Sequence, residues 1–200
     1  MSANSTNLLP DTKAHLLEIG YQLIAKKGFT AVGIKQILDT AGIPKGSFYH
    51  YFASKEAFGE AIISNYFINY KMRLDAIDRQ DINAQQKLYN YFQNWYDTQQ
   101  NDCEHGKCLV VKLSAEVADM SESMRLALNA GYQQTINWLA EHIKEGWADG
   151  SVPPLDNVAA ESQAKRWYFA WLGASLIAKT SQTNTPLAEV WQMTTSQMGR

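Results

Sequence analysis

Cys103, His105, Lys107 and Cys108 place two thiols, an imidazole and an ammonium group within six residues of a 200-residue chain. Three chemistries draw on such a set. Zinc takes thiolate and imidazole ligands, but structural sites space their ligands in wider pairs, and no fourth ligand is evident here. A cysteine hydrolase needs an orienting group and an oxyanion hole besides its base, and a three-residue separation on a loop is not how such pairs meet. A reactive thiol asks for less. Lys107 precedes Cys108 and a helix begins at this point, and a nearby cation and a helix N-terminus both favour the thiolate that attacks electrophiles. The opposing reading is a small buried hydrophobe beside Leu109, Val110 and Val111. Cys103 is either a second thiol able to pair reversibly with Cys108 or an ordinary loop residue. Two cysteines do not make a disulfide framework.

The second constellation is Lys45-Gly46-Ser47-Phe48-Tyr49-His50-Tyr51-Phe52. In a helix, Phe48, Tyr51 and Phe52 lie three and four apart and pack inward, which leaves Lys45, Ser47, Tyr49 and His50 on the outside. Gly42 to Ser47 lacks the spacing and the Lys-Ser step of a phosphate-binding loop. No enzyme class emerges, and no cofactor or metal is implied.

The elements that carry these residues are helical. Leu16, Leu17, Gly20, Leu23 and Ile24 form one stripe over 12–27, stopped by Lys26-Lys27-Gly28. Ile34, Ile37, Leu38 and Ala41 predict a very short second helix ending at Gly42-Ile43, and Pro44 suits the first turn of a third, 45–52. Two short helices joined by a tight turn containing Gly make a helix-turn-helix. Beyond Ser54 the periods lengthen, with helices expected over 54–78, 82–100, 107–118, 121–147, 157–180 and 186–197. The chain reads as all-α, about nine helices, an N-terminal three-helix unit (1–53) followed by a helical domain (54–200).

Composition sets the outer bounds. With 46% hydrophobic residues, 5 Pro and 12 Gly, the chain can build a core and is not low-complexity. No apolar run spans a bilayer, and the polar residues 1–10 carry no export signal, so a cytoplasmic protein is expected. The net charge of -2 conceals a split: residues 1–73 hold eight Lys/Arg against five Asp/Glu, and residues 74–200 ten against fifteen. A basic first part is compatible with a surface that meets phosphate, or with plain solvated surface.

The segment from Gly33 to Phe58, with Ala41-Gly42, Lys45-Gly46-Ser47, Tyr49-His50-Tyr51-Phe52 and Ser54-Lys55-Glu56 in register, closely resembles the DNA-binding domain of TetR-family transcriptional regulators. Gly33 departs from the capping Ser or Thr of many members. Cys108 to Val117, Ser121 to Arg125 and Trp171 to Leu176 resemble a subgroup of repressors that respond to N-ethylmaleimide and similar electrophiles.

The resemblance implies a homodimer on a palindromic duplex operator, the two recognition helices ~34 to 36 Å apart. Lys45 then meets a phosphate or a guanine edge, Tyr49 and His50 phosphates, and Ser47 either, while Gly46 lets the backbone approach. Lys55 adds a cation at a helix N-terminus. Dimerisation is expected through the last two helices (157–197): the Trp-rich helix is apolar nearly all round, Ala170, Ala174 and Ala178 form a small-residue ridge, and Trp191 stands on the next helix. A lysine occupies the place of Lys179 in the resembling subgroup, so Lys179 is expected to face Cys108. Two inducing events remain open: covalent attack on Cys108, or a non-covalent aromatic or cationic ligand with Cys108 inert. Tyr91, Phe92, Trp95, Tyr96, Trp138 and Trp147 are pocket candidates or plain core.

Overall fold

The computed structural model describes residues 12–100, 109–117, 119–155 and 158–200. Among them are nine helices and no strand: α1 (Thr12–Lys27), α2 (Ile34–Ala41), α3 (Lys45–Tyr51), α4 (Lys55–Asp78), α5 (Ala84–Gln100), α6 (Leu109–Val117), α7 (Glu122–Asp149), α8 (Ala160–Ser181) and α9 (Thr185–Gln197). The hydrophobic periods predict this order. Lys107, Ala118 and Asn157, expected at helix ends, lie outside the described residues.

Helix ends follow capping chemistry. Ser54 and Ser121 stand just outside α4 and α7 as N-caps, their hydroxyls accepting from the Ala57 N–H at 3.1 Å and the Met124 N–H at 3.4 Å. Gly42 closes α2 in the left-handed region at φ 66°, which lets the Ile43 N–H reach the Leu38 carbonyl at 3.0 Å. Pro44, expected within the first turn, is instead the N-cap of α3.

Two apolar clusters fill the interior. The first joins Leu16, Ile24, Phe29, Ile37, Phe48, Phe58 and Ile62 to Leu109, Leu113 and Val117 of α6 and Met124 of α7. The second gathers Phe92, Trp95, Leu139, Trp167, Trp171 and Val190 between α5, α7, α8 and α9. Helix α4 runs through both, and Tyr70, Tyr132 and Leu172 border both. Its contact with α7 requires a glycine, because a Cβ on Gly131 would sit 2.1 Å from the Phe67 ring.

The inner stripe of α8 is Gln163, Ala164, Trp167, Tyr168, Trp171, Ser175 and Ala178. The Ala170, Ala174 and Ala178 ridge therefore does not face outward as expected. Ala178 is buried in the chain's own core, and Ala170 and Ala174 pack against it. The outward apolar face is Phe169, Gly173, Leu176 and Ile177, with Phe169 58% and Ile177 53% exposed. Trp191 turns inward too, its ring 5.6 Å from Tyr96 and 6.3 Å from Trp171. Tyr91, Phe92 and Trp95 are core residues. Burial, with Tyr70 next to it, pushes the Tyr91 hydroxyl well above its ordinary pKa. No helix among the described residues is long and apolar enough to cross a membrane.

Candidate nucleic-acid interface

Helix α3 has seven residues, too few to hold itself together without packing. Phe48 supplies the anchor. It is fully buried, its ring 5.2 Å from Phe58 and 5.4 Å from Phe52, and Phe52 in turn packs edge-on against Phe58 at 4.8 Å. From α2, Ile37 and Leu38 complete the floor. The helix is thus fixed by one ring, and its other faces are free of the core.

Those faces carry the expected residues. Lys45, Gly46, Tyr49 and His50 are exposed, Tyr49 by 56%, and Ser47 is half-buried. Lys45 has no ion-pair partner among the described residues, whereas Lys35 on α2 is engaged by Asp39 at 2.6 Å. Tyr51 differs from expectation: it is 37% exposed and stands beside His50, ring centroids 4.9 Å apart. The physical reason is that α3 ends at Tyr51, and Phe52 reaches the core by leaving the helix in an extended conformation (φ -135°, ψ 123°).

Gly46 has a second property. Nothing lies within 4 Å of where a Cβ would stand, and its φ is not positive, so neither packing nor backbone strain demands a glycine there.

Lys55 opens α4 beside this surface and is half-buried. Its ammonium lies 4.5 Å above the Phe29 ring and donates to the Thr30 carbonyl at 3.5 Å. Hydrogen bonds from its own backbone N–H and from Ser54 hold the Glu56 carboxyl below its ordinary pKa at the same helix start.

Of the first cluster read from the sequence, Cys103, His105, Lys107 and Cys108 lie outside the described residues. Helix α6 begins at Leu109, directly after Cys108 in sequence, and buries Leu109, Val110, Leu113 and Val117. Lys179 is exposed in the last turn of α8. Sequence reasoning overlooked Lys112 and Glu116 of α6. The available signal was an opposite-charge pair four residues apart in a mostly apolar helix.

Residues 16–62 match the family described as bacterial regulatory proteins, tetR family, and residues 84–194 match the tetracyclin repressor-like C-terminal domain. The HTH-type transcriptional repressor NemR of Escherichia coli (strain K12) is 40% identical over 185 residues, 88% of each chain. The HTH-type transcriptional repressor DhaR of Mycobacterium sp. (strain GP1) is 28% identical over 176 residues, 88% of this chain and 86% of that one. The crystal structure of E. coli NemR in its reduced form superposes with a TM-score of 0.85 at 38% identity, covering 92% of this chain and 94% of that one. These relatives are regulators, not enzymes. One match falls on the helix-turn-helix and the other on the helical body, and both fall on a chain that aligns along most of its length with a known regulator: the protein is a member of the TetR family of bacterial transcriptional regulators.

Proposed function

We propose that the protein is a cytoplasmic transcriptional repressor that binds a palindromic operator as a homodimer and leaves it when Cys108 reacts with an electrophile or oxidant. The observation that carries the DNA half is the arrangement of α3: Phe48 alone anchors it, and Lys45, Gly46, Tyr49 and His50 face solvent. Ser47 and Lys55 flank that surface, and residues 1–53 form the reading unit.

Residues 54–200 sense and dimerise. The dimer surface is the outer face of α8 with α9. Phe169, Leu176 and Ile177 surround Gly173, where an added Cβ would meet nothing within 4 Å, so a partner helix can approach closely. The sensing half rests on the likeness to NemR and on the place of Cys108 immediately before α6. In this reading Lys179 stabilises the thiolate or its oxidised product.

The test is selection of duplexes from a random library by the reduced protein, with and without N-ethylmaleimide, for wild type and Cys108→Ser. Release by the reagent that Cys108→Ser abolishes is the expected result. Release that persists in Cys108→Ser moves the reacting thiol to Cys103, binding indifferent to the reagent points instead to a non-covalent ligand, and no duplex binding at low salt removes the repressor reading.

A further inference from the structure

Helix α6 grips the end of α1 with two opposite charges one turn apart. Helix α1 ends at Lys27, so its last carbonyls have no partner within the helix. The Lys112 ammonium donates to two of them, Ala25 at 2.9 Å and Lys26 at 2.5 Å, where the negative end of the helix dipole favours a cation. The chain then turns at Gly28, whose φ of 92° favours glycine, and the next two N–H groups donate to one carboxylate. Phe29 reaches Glu116 Oε2 at 3.0 Å, and Thr30 reaches Oε1 at 2.5 Å. The fit is close: a Cβ on Gly28 would lie 3.0 Å from Glu116 Oε2. Burial alone raises the Glu116 pKa, but the hydrogen bonds from Thr30 and Phe29 and the charge of Lys112 outweigh it and leave it lowered.

The turn held in this way is also the seat of Lys55. Thr30 gives its N–H to Glu116 and its carbonyl to the Lys55 ammonium at 3.5 Å, while the neighbouring Phe29 ring lies under the same ammonium at 4.5 Å. A continuous polar path therefore runs from α6 through residues 29–30 to the start of α4. Beneath it, Leu113 and Val117 share the apolar cluster of Phe29 and Val32.

We propose that Lys112 and Glu116 are positioning residues for DNA recognition: together they clasp the α1–α2 turn, and that turn sets where Lys55 presents its charge to the phosphate backbone. The inference rests on the DNA-binding reading above and not on the chemistry of Cys108. Neither residue touches DNA; both act through Phe29 and Thr30.

The test uses the full-length protein and a duplex selected from the random library, comparing wild type, Lys112→Met, Glu116→Gln and Lys112→Arg, with circular dichroism and solution mass as fold controls. Lys112→Met and Glu116→Gln are expected to weaken binding by roughly 5- to 150-fold. They should also flatten the slope of log affinity against log salt by about 0.9, the equivalent of one phosphate contact. Lys112→Arg, which keeps a cationic donor, should retain wild-type affinity and slope. If Glu116→Gln fails to fold, the contrast between Lys112→Met and Lys112→Arg decides. Wild-type affinity in the folded variants overturns the clasp, and so does weaker binding with an unchanged salt slope, which marks a purely structural role. A wild-type protein that binds no duplex overturns the repressor reading and the clasp with it. N-ethylmaleimide is absent throughout, so failure of the Cys108 reading leaves this result intact.

Discussion

Trp171 donates its indole N–H to the Thr194 hydroxyl at 3.0 Å, and both residues are fully buried where α8 meets α9. The Thr194 hydroxyl gives its own proton to the Val190 carbonyl at 2.7 Å, so its lone pair is the acceptor the indole uses. Thr194→Val keeps the shape but leaves a buried N–H without a partner, at a cost of about 1–3 kcal/mol. The melting temperature should fall by roughly 2–4 °C per kcal/mol in a chain of this size, and Thr194→Ser should restore it. Thermal unfolding of the two variants checks this; equal melting of Thr194→Val and wild type would show that the indole finds another acceptor.

Gly46→Ala separates folding from recognition. Within a helix alanine is favoured over glycine by up to about 0.5–1 kcal/mol, Gly46 lies in the first turn of α3, and an alanine methyl group there meets nothing in the protein. The variant should therefore fold at least as stably as wild type and yet bind DNA more weakly. Melting temperature and operator affinity measured on one preparation decide, and unchanged affinity would place the DNA backbone away from Gly46.

Lys45→Met should weaken binding and lower the salt slope by about 0.9 if its contact is to a phosphate. If Lys45 reads a guanine edge, the loss should instead concentrate at one base position, by about 1–3 kcal/mol. A panel of duplexes with single substitutions, titrated at several salt concentrations, distinguishes the two.

Ile177→Glu puts a charge on the outer face of α8, where the wild-type side chain is 53% exposed in the single chain. Desolvating a carboxylate against a second copy is strongly unfavourable, so the variant should be a folded monomer. Sedimentation or light scattering reads the mass directly. A variant that keeps the wild-type mass puts the contact between copies on another surface.

The lowered pKa of Glu116 fixes the sign of a pH effect. A carboxylate whose folded value lies below its unfolded value stabilises the protein fully above the ordinary carboxylate range, and that contribution is lost as pH falls through the folded value. The stability difference between wild type and Glu116→Gln should thus be constant near neutrality and shrink towards acid. Urea unfolding at a series of pH values tests it; a difference that grows towards acid contradicts the assignment.

The helix-turn-helix was legible because short-range signals coincide there: Ile34, Ile37, Leu38 and Ala41 mark a face, Gly42 a stop and Ser54 a cap. Tyr51 was misread because a periodicity argument assumes that the helix continues, whereas α3 stops and Phe52 turns inward by leaving it. On α8 the periodicity has little contrast, since apolar residues surround the helix. Which side faces inward depends on the positions of α5, α7 and α9, which the local pattern does not encode. The partners of Lys112 and Glu116 are backbone carbonyls and N–H groups some 86 residues away in sequence, and backbone groups leave no mark in the residue pattern.

Helix α4 and the residues that border both clusters bear on cooperativity. The three N-terminal helices do not own a complete core: Phe48 rests on Phe58, and the same cluster needs Ile62, Leu109, Leu113, Val117 and Met124 from beyond the turn. Residues 1–53 expressed alone lack all of these and should remain unfolded. In the whole chain, Tyr70, Tyr132 and Leu172 join that cluster to the second. The N-terminal helices and the helical body therefore melt as one, and a calorimetric scan should show a single transition rather than two.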